Sequence, residues 1–165
     1  MYKATDRERL LNKIIGFMRD SSAFEGLLQI GSGEIGFADI YSDIDLMAGC
    51  CDADCVKDAD QQLQQFFTKL GVCHIEKRAW TSTALGLSVY FDDGLSADIS
   101  FMPTPELPIR SPQHKVVFAK TDNFTDAVNA GELELYGGPG YLNHKKILND
   151  VCEKLYSNTT LGVKA

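Results

Sequence analysis

The sequence predicts an α+β (mixed α/β) fold with a mixed, partly antiparallel sheet flanked by helices. Three observations carry this expectation. The chain is 165 residues long and 44% hydrophobic, enough for one domain with a real core. Its apolar periodicity changes along the chain in the order α-β-β-α-β-β-β-β-α, and one strand pair is joined by a turn so tight that the strands must run antiparallel.

From Asp6 to Asp20, Leu10, Leu11, Ile14, Ile15, Phe17 and Met18 recur at helical spacing, with Thr5 or Asp6 as the expected cap. A short apolar run from Gly26 to Ile30 ends at Gly31-Ser32-Gly33. A second strand begins near Ile44, where Asp43, Asp45 and Met47 alternate with Ile44, Leu46 and Ala48. Asp52 and Asp54 open the next helix, which carries Val56, Leu63, Phe66, Phe67 and Leu70 and closes at Gly71. A strand is expected around Val72 to Ala79. Leu85–Phe91 and Leu95–Phe101 then form a hairpin about Asp92-Asp93-Gly94. In its second arm Leu95, Ala97, Ile99 and Phe101 share one face, which leaves Ser96, Asp98 and Ser100 on the other. After a proline-rich loop, Lys115–Phe118 reads as a strand and Thr125 onward as helix. Gly137-Gly138-Pro139-Gly140 interrupts it, and Asn143–Tyr156 is the final helix.

Bulk properties narrow the function. No apolar run approaches the roughly 20 residues of a spanning helix, which argues against a membrane protein, and the charged N-terminal helix does not read as a secretory signal. Five cysteines without CxxC spacing suggest neither a disulfide framework nor a zinc ribbon, so structural thiols in a reducing cytoplasm are expected. The net charge of −7 disfavours a nucleic acid polymer as partner. A small anionic substrate stays compatible where metal ions supply local positive charge.

That points to carboxylates. Asp43 and Asp45, at i and i+2 of one strand, point the same way with side chains roughly 6–7 Å apart. Hard cations such as Mg²⁺ take oxygen ligands from one or two carboxylates plus substrate phosphates, so the pair suits two ions about 3.5–4 Å apart, with Asp98 as the third carboxylate from a neighbouring strand. Gly31 and Ser32 ahead of the pair let a phosphate approach the backbone. An isolated Asp-x-Asp reads more readily as a turn cap beside an exposed strand residue; the combination with Gly31-Ser32 and Asp98 favours the metal site.

Gly31-Ser32, Asp43-Ile44-Asp45 and Asp98 together resemble the signature of the nucleotidyltransferase superfamily, whose members share a DNA polymerase β-like palm. Tyr41–Asp45, Val89–Phe101 and Val116–Thr121 are further similar to the antibiotic nucleotidyltransferases of the lincosamide and aminoglycoside type. The resemblance covers roughly residues 8–130. It implies a catalytic domain over 1–125 and a helical segment over 126–165 that begins a helical domain, truncated here or completed by a partner subunit such as a second copy. It also implies a reaction: a nucleoside monophosphate, AMP foremost, passes from ATP or another NTP to a hydroxyl of a small acceptor such as an aminoglycoside or lincosamide. Asp43 and Asp45 would ligate two Mg²⁺ (or Mn²⁺) ions, Asp98 one of them, and Gly31 and Ser32 the triphosphate. The alternative is an antitoxin or regulatory module of the same fold that acts on or binds a partner protein.

Other residues carry weaker expectations. Lys77, Arg78, Lys115, Lys120, Lys145 and Lys146 are the candidate phosphate cations, and Asp98 itself is a candidate general base, with Glu106 in the loop beyond its strand as the weaker alternative. His144 reads as a surface residue, and Tyr41 and Trp80 as packing residues or base-stacking platforms. Asp52, Asp54, Asp58 and Asp60 lack the glycine and glutamate of a calcium loop and read as a helix cap with a solvated acidic face.

Overall fold

A computed structural model of the chain describes residues 3–31, 42–109 and 114–136. Helix α1 (Ala4–Asp20) leads into strands β1 (Phe24–Ile30) and β2 (Ile44–Cys50). Helix α2 (Ala53–Leu70) is followed by β3 (His74–Ala79), β4 (Leu85–Tyr90) and β5 (Ser96–Pro103). A 3-10 turn at Thr104–Glu106, strand β6 (His114–Ala119) and helix α3 (Asp122–Tyr136) complete the described elements. The six strands form one sheet in the order β3-β4-β5-β2-β1-β6. Only β2 and β5 pair in parallel; every other neighbouring pair is antiparallel. This is the mixed α+β architecture that the element order predicts.

The helix ends follow from local chemistry. Asp52 caps α2, its carboxylate accepting the amides of Asp54 (2.9 Å) and Cys55 (2.8 Å). Gly71 ends the helix in the left-handed conformation at φ 80°, where a residue with a Cβ is strained. The start of α1 differs from expectation. Lys3 takes the cap position, and Asp6 accepts its amide from the third helical residue (2.9 Å), so the acid serves one turn inside the helix.

Strand parity divides the sheet into two unlike faces. Ile44, Leu46 and Ala48 of β2, Leu87 and Val89 of β4, and Ala97, Ile99 and Phe101 of β5 are all buried. They pack with Leu10, Ile14 and Met18 of α1 and with Val56, Leu63 and Phe67 of α2. Phe17 stacks on Phe66 with ring centroids 4.3 Å apart, joining the two helices. Each large apolar side chain buried in this way contributes roughly 1.5–3 kcal/mol. The alternation of burial along β5 is the one the sequence predicts, with Ser96, Asp98 and Ser100 only half-buried.

Among the described residues, the opposite face is covered over one part only. There Leu28, Met102, Leu107, Ile109, Phe124 and Val128 form a smaller second core beneath α3. Phe124 sits where β1 and β2 carry glycines: a Cβ at Gly26 would meet its ring at 2.3 Å, and one at Gly49 at 2.8 Å. Helix α3 crosses residue 125, so Phe124 and Val128, on either side of that position, share one core. The interrupting Gly137–Gly140 segment and the helix expected over 143–156 lie outside the described residues.

One acid and one pair of cysteines depart from expectation. Asp60 is buried, because it faces the sheet edge and pairs with Lys77 of β3 (2.5 Å) as well as Gln64 (2.8 Å). The solvated face of α2 therefore does not include it. Cys51 and Cys55 are joined as a disulfide where separate thiols are expected. Cys51 precedes the cap of α2 and Cys55 lies in its first turn, with their Cα atoms 5.9 Å apart, within bonding range.

Candidate functional site

The uncovered part of the second face holds the carboxylates. Because β2 and β5 are parallel neighbours in register, Asp45 lies directly opposite Asp98, two residues of a short row that continues with Met47 opposite Ser100. Asp43 precedes β2 by one residue and is exposed, on the same parity as Asp45. The structure thus brings the three predicted acids to one end of adjacent strands.

They are spread out there. Among the described residues, the one trio of potential ligand groups whose atoms all lie within 4.8 Å is Cys51, Asp52 and Cys55, two of which are spent in the disulfide. Asp43 accepts a hydrogen bond from Ser96, and Asp98 accepts one from Ser88. Asp45 is half-buried with its carboxyl pushed up to about 6, first by desolvation and then by the charges of Asp98 and Asp43. A hard divalent cation fits this donor set of carboxylate oxygens, since it offsets the repulsion that raises Asp45.

Gly31 closes one side of the site at φ +65°, and a Cβ there would come within 2.9 Å of the Asp45 carboxylate. Glycine is needed for both the backbone conformation and the close approach. Ser32 and Tyr41 lie outside the described residues. Leading into the acids, the Arg7 guanidinium is buried and donates to the Ser42 carbonyl (2.9 Å). Arg7 therefore ties helix α1 to the segment carrying Asp43, a role hidden in the sequence by its place among other charges of α1.

Among the described residues, Arg78 is the candidate cation that lines the carboxylate cavity. It donates to Ser88 Oγ (2.7 Å) and to Glu76 (3.1 Å), and Ser88 in turn donates to Asp98. A small cavity of about 170 Å³ is lined by Asp45, Asp98, Ser88, Arg78, Trp80 and Ser100, among others. Lys77 points to the opposite face, held by Asp60. Lys120 donates to the Ser21 carbonyl (2.5 Å), away from the acids. Lys145, Lys146 and His144 lie outside the described residues.

Ser88 was within reach of sequence reasoning. Counting back from the hairpin turn pairs Tyr90 with Ser96 and then Ser88 with Asp98. Arg78 is among the cations the sequence offers, but the longer bend after Ala79 leaves its register open, so the sequence does not single it out.

A second cavity of about 590 Å³ adjoins the first and shares Ile30, Trp80 and Ser100 with it. Its walls include Leu28, Met47, Met102 and Ile109, with Glu106 and His114 among the few polar residues. Glu106 lines this larger cavity, outside the carboxylate cavity, and accepts a hydrogen bond from Thr83 (2.7 Å). Trp80 is 55% exposed and lies across Gly86, where a Cβ would meet the indole at 2.6 Å.

The site is a carboxylate cleft on the open face of a mixed sheet, with an arginine at one flank and an apolar chamber alongside. No family model and no curated protein matches the chain. Among solved structures, an aminoglycoside 6-adenyltransferase from Bacillus subtilis is similar, with a TM-score of 0.42 and 15% identity over 62% of this chain and 36% of that one. The chain spans little more than a third of that enzyme's length. Among the described residues no helix is long and apolar enough to cross a membrane.

Proposed function

We propose that the chain is a metal-dependent nucleotidyltransferase that moves a nucleoside monophosphate, AMP foremost, from an NTP to a hydroxyl of a small acceptor. The observation that carries the reading is the in-register placement of Asp45 opposite Asp98 on parallel neighbouring strands, with Asp43 on the same parity beside them.

Asp43, Asp45 and Asp98 would hold two magnesium ions, whose chemistry is to neutralise triphosphate charge and to acidify the acceptor hydroxyl. The protein's own groups do the rest. Gly31 leaves the backbone open beside Asp45 for the phosphate chain. Arg78, held over the cleft by Ser88 and Glu76, faces the charge that develops on the triphosphate. The acceptor oxygen attacks the α-phosphorus in line and forms the new O–P bond, as the bond from that phosphorus to the bridging oxygen breaks. Pyrophosphate leaves with the electron pair, and the hydroxyl proton passes to Asp98.

The test follows the α-phosphate. With α-labelled ATP, magnesium and a panel of lincosamide and aminoglycoside acceptors, the wild type should move label to an acceptor and release pyrophosphate. Asp98→Asn should lower turnover by on the order of 100-fold or more, while ATP binding persists through Asp43 and Asp45. Equal turnover in Asp98→Asn would remove Asp98 from the mechanism.

A further inference from the structure

The row that sets Asp45 against Asp98 continues across two more strands. Glu76 of β3 lies opposite Ser88 of β4, and Ser88 lies opposite Asp98 of β5. Residues directly opposite on antiparallel strands hold their Cβ atoms about 4.5–5.5 Å apart, so this row is assembled by strand register alone. Arg78 follows Glu76 by two positions and shares its face. It donates to Glu76 (3.1 Å) and, diagonally across the strand pair, to Ser88 Oγ (2.7 Å). A single hydroxyl thus stands between an acid–arginine pair and the two facing acids.

Counting donors and acceptors fixes the direction of these bonds. A guanidinium has donors only, and a serine hydroxyl has one proton. Ser88 Oγ must therefore accept from Arg78, which leaves its proton for Asp98 Oδ1, the contact the structure makes. Ser88 is 4% exposed, so water competes little for that proton. A hydroxyl that could otherwise rotate is held to one direction by the cation behind it.

We infer that Ser88 is a positioning residue for Asp98: oriented by Arg78, its hydroxyl fixes the Asp98 carboxylate through Oδ1 and leaves Oδ2 to take a divalent cation. The inference deepens the nucleotidyltransferase reading and rests on it for the cation. Partners hydrogen-bonded behind a metal ligand set its orientation, and their loss lowers metal affinity or activity by roughly 10–100-fold.

The first readout needs no turnover. Mn²⁺ alone is titrated calorimetrically into the nucleotide-free full chain, with urea unfolding confirming that each variant folds. Ser88→Ala should weaken Mn²⁺ by roughly tenfold or more, whereas Ser88→Thr, which keeps the donor, should stay within about threefold of wild type. In an Asp98→Asn background, Ser88→Ala should cost nothing further, because a residue acting only through Asp98 has nothing left to position. With α-labelled ATP, Ser88→Ala should lower kcat by roughly tenfold or more while KM for ATP moves less than about threefold, since Asp43 and Asp45 still hold the nucleotide.

Absence of Mn²⁺ binding to the wild type, unchanged affinity in Ser88→Ala, a folded Ser88→Thr no better than Ser88→Ala, or an equal loss in the Asp98→Asn background overturns the inference. The reading beneath it fails separately, on magnesium-dependent binding of nucleotide by the wild type.

Discussion

Asp45 carries the electrostatic tension of the site, and this has a consequence in the metal-free protein. Its carboxyl rises from 3.8 to about 6 on folding. As pH climbs, the unfolded chain therefore gives up this proton first, and between those values the folded state binds more protons. Stability from this group falls as pH rises through that window and stays reduced above it. The full shift is worth roughly 3 kcal/mol, which the half-exposed position screens to on the order of 1 kcal/mol. Urea unfolding in EDTA should find Asp45→Asn more stable than wild type at pH 8 by about that amount, with the gap shrinking at pH 5. A gap independent of pH would contradict the account. Gly31→Ala makes a second residue-scale test, because it adds a Cβ both at positive φ and 2.9 Å from the Asp45 carboxylate. It should cost about 1–2 kcal/mol in thermal or urea unfolding and reduce metal affinity by displacing the ligand.

At this scale the sequence was legible where parity rules. The i, i+2 spacing of Asp43 and Asp45 and the polar row Ser96, Asp98, Ser100 follow from period-2 alternation alone. The engagement of Arg78 and Arg7 was not legible. Both reach across tertiary contacts, Arg78 to Ser88 on the next strand and Arg7 to the Ser42 carbonyl 35 residues away, and no local periodicity encodes such a reach.

Among the elements, α2 shows how capping fixes a helix. Asp52 satisfies two of its orphan amides and Gly71 turns the chain out at its far end. Asp52→Ala should lower stability by about 1 kcal/mol, read as a shift in urea midpoint with unchanged slope; no shift would show that solvent replaces the cap at no cost. Both caps were legible as residue types at the ends of an apolar period. Asp60 was misread as solvated because its helical position says nothing of β3, whose Lys77 reaches it across the layer. The N-terminus of α1 was placed slightly late, since Asp6 acts from inside the first turn through the Lys3 amide.

For the whole molecule, element order predicted a mixed sheet, while strand order needed the packed structure. The parallel pairing of β2 with β5 joins segments some 50 residues apart, and it alone sets Asp45 against Asp98. Among the described residues, helices α1 and α2 cover the central strands on one face, and α3 covers part of the other. Among the described residues, what stays open is the carboxylate cleft and the apolar chamber beside it. On the proposed reading the division of labour is one of layers: one face carries the larger core, and the other a smaller core beside the chemistry.

The central claim is that this open face binds a nucleoside triphosphate through magnesium, and calorimetric titration with a non-hydrolysable ATP analogue, with and without Mg²⁺, tests it most directly. The account predicts saturable binding that requires magnesium and disappears in Asp43→Asn/Asp45→Asn. Binding that is indifferent to magnesium and to both substitutions, or no binding of any nucleotide by the wild type, would contradict it.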